Sequence, residues 1–445
     1  MEAVKIDHER MIFLRNGKPF FYLADTAWMA FSNLSVTDWE KYLDYRKMQG
    51  FTAIQISVLP ILNDSSFGND SLMPFEFNQD GRMDFHKINE SYFDKAKTMT
   101  RVIVKKGLVP ALVVLWNNYV PTAWASEAIG NTSVMDEDDL ENYAAHVTDL
   151  FNEFKPIYII SGDTNFETDT VVRYYSKLLD FVKARSPESL TTMHLNPAAE
   201  VPDAIQKSTN LDFYMYQSGH GGNEIDNPWK FAEKFAAYPV KRPVVNGEPN
   251  YEGTAHGREY PRFSDFDVRR AVWQSILSGA KAGTGYGAHG IWMFQQEGMA
   301  FNNLSFSGHP FLWQDALRFE GAWDLGFAKW LFEKYDLFET WPCQNLIEAP
   351  NEIRAAAAGD RSLIAVYMPY AFPLKIKLDM RDYKVTVFTL EKNRVLDPGF
   401  SFNEGISILK MIPFNEDALL IAEKQLRRSV RQGVMKNSAP ILGTG

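Results

Sequence analysis

The chain has 445 residues, 45% of them hydrophobic and 23% charged, with a formal net charge of −10. That length exceeds the usual single domain, so one large α/β domain with a smaller companion is expected. The acidic balance argues against nucleic acid or an anionic membrane as partner, since both reward a basic face. A lone cysteine, Cys343, leaves no intramolecular disulfide and no thiolate metal cluster. The first ten residues are charged, and no 18-residue apolar run occurs, so the expectation is a cytoplasmic protein.

In chain order, the opening segment places Asn16-Gly17 between two apolar runs, the commonest short signal for a β-hairpin. Apolar β-type runs then recur at 21–25, 52–59, 109–116, 157–163, 191–196, 213–217, 243–248 and 287–294. Helix-like segments separate them at 36–48, 92–106, 137–154, 170–184, 229–237 and 267–282. Eight strands alternating with helices over about 320 residues predict a (β/α)8 TIM barrel. A doubly wound open sheet is the rival, but it would carry a glycine-rich turn after its first strand, and Ala24-Asp25-Thr26-Ala27-Trp28 has no glycine. Beyond residue 345 short alternating runs at 362–367, 374–378, 384–390, 406–409 and 418–422 predict a small antiparallel β-sandwich. The expected organisation is a barrel over 1–344, a sandwich over 345–425 and a basic tail over 426–445.

Two strands end on acids. Ser161-Gly162-Asp163 closes the fourth run, and Asn246-Gly247-Glu248-Pro249 closes the seventh. In a barrel of this type the C-terminal strand ends carry the chemistry, so both carboxylates face one mouth. One protonated and one ionised carboxyl are what glycoside cleavage requires. Either acid alone reads equally well as a helix cap or an ion-pair partner. As a pair on strands four and seven they are the candidate catalytic residues. Polar and aromatic groups at other strand ends form a candidate sugar-binding set. These are Asp25 and Trp28, Gln55, Trp116 and Asn117, His194, Tyr216, Gln217 and His220, Tyr251, and Tyr286 and His289. The eight histidines show no zinc-type spacing and no Gly-x-Ser-x-Gly elbow occurs, so neither metal nor cofactor is expected.

Asn16-Gly17-Lys18-Pro19-Phe20-Phe21, Ala24-Asp25-Thr26-Ala27-Trp28, Ser161-Gly162-Asp163, Gln217-Ser218-Gly219-His220, Asn246-Gly247-Glu248-Pro249-Asn250-Tyr251 and Tyr286-Gly287-Ala288-His289-Gly290-Ile291-Trp292 occur in order. Over about residues 10 to 340 the set resembles the apiosidase-like glycoside hydrolases, family 140. The resemblance implies a retaining TIM-barrel glycosidase followed by a small β-sandwich, with Asp163 as acid/base and Glu248 as nucleophile. The expected partner is an oligosaccharide or plant-derived glycoside cleaved at its end. Two other readings fit the same residues: a non-catalytic carbohydrate-binding protein on a degenerate barrel, and a related β-hexosidase of different sugar specificity. The oligomeric state is not legible in the sequence.

Overall fold

The computed structural model describes residues 2–221, 225–255, 261–413 and 415–425; the basic segment expected at 426–445 lies outside them. Eight parallel strands form one sheet: β1 Tyr22–Thr26, β2 Ala53–Ser57, β3 Val109–Trp116, β4 Ile157–Gly162, β5 Thr191–Thr192, β6 Tyr214–Gln217, β7 Val244–Glu248 and β8 Gly283–Tyr286. Their order, β5-β4-β3-β2-β1-β8-β7-β6, is that of a sequential ring. The seam between β5 and β6 is bridged by Asp212 N–H donating to Thr191 O at 3.0 Å and by the Thr192 hydroxyl donating to Phe213 O at 2.8 Å. The protein is therefore a (β/α)8 barrel.

All eight residues of β3, Val-Pro-Ala-Leu-Val-Val-Leu-Trp, are buried, as expected of a parallel strand covered on both faces. The helices are α1 Val36–Met48, α2 Glu90–Lys105, α3 Glu137–Phe151, α4 Asp169–Arg185, α5 Asn227–Ala236, α6 Asp265–Leu277 and α7 Gly321–Lys334. Their starts are local: the side chains of Ser35, Asp136 and Thr168 accept from first-turn amides, and Ser264 with Asp267 forms a capping box.

The expected hairpin is present, Ile12–Arg15 with Lys18–Phe20, turning through Asn16 and Gly17 at φ 54° and 70°. Phe13 lies 5.0 Å from the Phe213 ring and 6.3 Å from Tyr22, which covers the barrel end where the strands begin.

The eighth strand differs from expectation. It is Gly283–Tyr286, and the apolar run 287–294 instead forms turns, with Ile291 N–H bonded to Ala288 O and Phe294 N–H to Ile291 O. Strand eight carries glycines because its neighbours leave no room: a Cβ on Gly283 would sit 2.2 Å from Tyr22 O, and one on Gly285 would sit 2.1 Å from Gly247 O.

The C-terminal strands form two antiparallel sheets, one of six strands and one of four, which is a β-sandwich. Along Leu363–Met368 the side chains alternate between two cores. Ile364, Val366 and Met368 enter the sandwich interior, while Ala365 and Tyr367 join the core continuous with the barrel. Helix α6 fills the space between, with Trp273 stacked on Tyr367 at 6.4 Å.

Polar groups lock this contact. The buried Arg269 of α6 reaches Asp265 at 2.6 Å, Asp324 of α7 at 2.7 Å and Asp417 of the sandwich at 3.1 Å, and Tyr367 also donates to Asp417. Removing the guanidinium leaves Asp417 and Asp324 facing each other in a site with little water. We expect Arg269→Ala to cost about 3–5 kcal/mol of stability, read by urea unfolding, with activity per folded molecule retained. A loss below about 1 kcal/mol would show the cluster to be screened like a surface pair.

Candidate active site

At the end of β4, Gly162 lies against Trp116, where a Cβ would be 2.2 Å from the indole ring. The chain then turns left-handed at Asp163, φ 53°, a conformation that a non-glycine residue adopts only when its surroundings hold it. Here every backbone group is held. Asp163 N–H donates to His194 Nδ1 at 3.1 Å, and its carbonyl accepts from Asn117 Nδ2 at 2.7 Å and Trp124 Nε1 at 3.0 Å. The carboxyl is thereby set in the cavity wall.

Glu248, the last residue of β7, enters the same cavity. Its Oε1 accepts from Gln217 Nε2 at 3.1 Å and faces His220 Nε2 at 2.8 Å. His194 Nε2 lies 2.9 Å from Oε2, short of ideal hydrogen-bond alignment. Both imidazoles have their tautomer set by the backbone. His194 Nδ1 accepts from Asp163 N–H, and His220 Nδ1 accepts from Tyr251 N–H at 3.3 Å. In the neutral ring the proton is then on Nε2, so each histidine presents an N–H to the Glu248 carboxylate without needing a positive charge.

The two carboxyls are pushed apart in acidity. Burial alone would raise Glu248, but hydrogen bonds from His194 and His220 outweigh it and hold the group at about 2. Asp163 is raised well above the usual carboxyl range, first by burial and then by the charges of Glu248 and Asp64. Near neutral pH the cavity thus holds a firmly ionised carboxylate beside a carboxyl disposed to keep its proton.

The cavity is about 420 Å³, and its walls are rich in indole rings: Trp28, Trp116, Trp124 and Trp292. Trp28 sits edge-on to Trp116 at 5.5 Å and donates to the Tyr251 hydroxyl at 2.9 Å, which fixes both as a rigid floor. A second hollow, about 700 Å³, lies on the flank between the loop around Asn78–His86 and residues 121–139, and it contains neither strand-end acid.

Of the residues expected here, Trp28, Trp116, Asp163, Gln217, His220, Glu248 and Tyr251 line the cavity. Asn117 and His194 stand behind it and position others. Five others lie away from it. Asp25 is fully buried against the Arg46 guanidinium and the Tyr42 hydroxyl of α1, on the outer side of its strand. Tyr216 also points outward, donating to Pro228 O, and Tyr286 donates to Glu252 Oε2 at 2.7 Å. Gln55 lies inside the barrel below the cavity, between Tyr22 and Gly247 O. His289 follows β8 in a turn, with Nε2 3.0 Å from Gly308 O. Sequence reasoning missed Asp64, on the irregular loop after β2, and Trp124, which opens the short helix Trp124–Ala128; neither segment has a periodic pattern long enough to mark it.

Among the described residues no three His, Cys, Asp or Glu side chains group to hold a metal ion, and no helix is long and apolar enough to cross a membrane.

The comparisons with known proteins agree with this picture. One solved structure, titled "Glycoside hydrolase", is 23% identical, aligns over 95% of this chain and 97% of its own, and has a TM-score of 0.78. A second, a glycoside hydrolase family 5 protein from Bacteroides vulgatus ATCC 8482, is 21% identical over 95% and 93% of the two chains, also with a TM-score of 0.78. No curated protein matches the chain in sequence. These likenesses show the fold; the family model that matches three quarters of the chain sets the class, and the protein is a glycoside hydrolase acting on a glycan. Within that class the chain belongs to the apiosidase-like family, whose description, "Apiosidase-like, catalytic domain", matches residues 7–339.

The electrostatic reading can be checked without a substrate. Carboxyl titration by carbon NMR should place Glu248 near 2 in the native protein. In His220→Ala, loss of one donor to the ionised form should raise it by about one pH unit. An unchanged titration would show that the imidazole contact does not stabilise the charge.

Proposed function

We propose that the protein is a retaining glycosidase that removes a terminal sugar by double displacement. One observation carries this reading: carboxyls of opposed acidity, from the ends of β4 and β7, line a single cavity. In the first step Glu248 attacks the anomeric carbon while Asp163 gives its proton to the glycosidic oxygen. The carbon–oxygen bond to the leaving group breaks, and a glycosyl ester forms on Glu248. In the second step the Asp163 carboxylate takes a proton from water, the resulting nucleophile attacks the anomeric carbon, and the ester bond to Glu248 opens. His194, His220 and Gln217 hold the Glu248 carboxylate at the start of the cycle and receive it again at the end.

Action at a chain end is supported by the wall across the mouth. Ser66–Phe67, after β2, pairs antiparallel with Ala300–Phe301, after β8, so loops from two strands join above the cavity. Ile61 and Asp64 from the first of these loops, and Asn303 and Phe306 from the second, line it. The later part of the β2 loop, Phe75–Phe77 with Met83–Ile88, packs instead on the flank against Phe93 and Tyr143. A cavity of this size suits a small neutral sugar, and the family's description makes an apioside the first glycoside to assay.

Asp163→Asn and Glu248→Gln should each lower kcat by roughly 10³-fold or more while leaving the fold intact. NMR of the first-formed product should show the anomer of the substrate; the opposite anomer would establish single-step inversion instead. On an oligosaccharide, monosaccharide should appear from the first minutes, and early mid-chain fragments would rule out chain-end action.

The pH profile has a defined sign. kcat/KM should fall on the acid side only as Glu248 becomes protonated, toward pH 2, and on the alkaline side as Asp163 loses its proton above the ordinary carboxyl range. Asp163→Asn should abolish the alkaline limb.

A further inference from the structure

Asp64 is a third carboxyl in the cavity, and neither the catalytic scheme nor the fold uses it. It lines the cavity together with Asp163 and Glu248. The loop that carries it is held from both sides. Ile61 N–H contacts Met29 Sδ at 3.1 Å, Leu62 N–H reaches Asn118 Oδ1 at 3.4 Å, and Asn33 Nδ2 donates to Ser66 O at 2.9 Å. Just beyond, Ser66–Phe67 is paired into a short ladder. Asp64 therefore occupies a set position rather than the tip of a loose excursion.

What distinguishes it is the lack of a partner. Glu248 has Gln217, His220 and His194 around it, and Asp163 has Asn196. Among the described residues no donor hydrogen-bonds the Asp64 carboxyl. Burial, and after it the like charge of Glu248, raise it to about 6 against a smaller opposing effect of His220. A carboxyl in a cavity wall without a protein donor keeps its acceptor capacity for whatever enters. Sugar hydroxyls are neutral donors, and the two oxygens of one carboxylate can accept from two adjacent hydroxyls.

We propose that Asp64 selects the sugar: its carboxylate accepts hydrogen bonds from neighbouring ring hydroxyls of the residue bound between Asp163 and Glu248. This rests on the glycosidase reading above and narrows its substrate to neutral glycosides with free adjacent hydroxyls. A uronic acid would bring a further carboxylate beside those of Glu248 and Asp64 and is disfavoured by repulsion. Asp64 could otherwise act only through its charge, by helping Asp163 keep a proton. The two roles separate, because a charge acts equally on every substrate whereas a hydrogen bond acts on one hydroxyl.

The test uses the full chain as wild type, Asp64→Ala and Asp64→Asn. The probes are the 4-nitrophenyl glycoside that wild type hydrolyses fastest in a panel, its monodeoxy analogues and its uronic-acid counterpart. Asp64→Ala should lose roughly 10²-fold in kcat/KM on the parent glycoside but less than about threefold on the analogue lacking the recognised hydroxyl. Asp64→Asn, which keeps one acceptor oxygen, should recover part of the difference. Wild type should not turn over the uronide. Equal losses across all analogues, with the alkaline limb moved to lower pH, would overturn the proposal in favour of a purely electrostatic role.

Failure of the underlying reading looks different, since Glu248→Gln would then keep its activity or wild type would hydrolyse no glycoside. In that event calorimetric titration of wild type and Asp64→Ala with the free neutral monosaccharides decides the matter. At least tenfold weaker binding to the variant supports the proposal; equal binding, or no binding to either protein, refutes it.

Discussion

The hydrogen bond from Asp163 N–H to His194 Nδ1 is the constraint on which the candidate site depends. It holds the left-handed turn that brings Asp163 into the cavity, and the same bond assigns the proton of His194 to the nitrogen facing Glu248. One backbone amide thus ties the position of one acid to the charge state of the other. The arrangement repeats at Tyr251 N–H and His220, so two neutral donors converge on a single carboxylate from two loops.

Much of the barrel was legible because its strands are continuous apolar runs. β3 and β4 are such runs, and α1 appears over the expected span 36–48, with Trp39, Tyr42 and Leu43 buried at helical spacing. β8 was hidden for a physical reason. Gly-Thr-Gly-Tyr has no apolar run, since contact with Tyr22 and Gly247 excludes side chains where a β-branched residue would have announced a strand. The nearby apolar stretch then attracted the assignment, although its burial comes from packing between the barrel and its helices.

For the site, strand-end position located Asp163 and Glu248 but could not separate the two faces of a strand. Tyr22 points into the barrel and reaches Gln55, while Asp25, three residues later, has the opposite parity and meets Arg46. Tyr216 and Gln217 are adjacent and split the same way: one goes to Pro228 outside, the other to Glu248 within. A one-residue uncertainty in register exchanges these faces, so polarity at a strand end is a weak guide until register is known. Asp64 left no signal because an irregular loop has no period to read.

Helix α6 has a consequence for the architecture as a whole. An outer helix of a barrel normally presents one face to water, yet almost every residue from Asp267 to Leu277 is buried, because the sandwich covers the side away from the strands. A helix of this composition has no soluble face of its own. The C-terminal sheets therefore are not a detachable module that recombination could exchange freely among barrels. They are the solvent boundary of the barrel's last quarter, and any sequence replacing them would have to rebuild that boundary residue by residue.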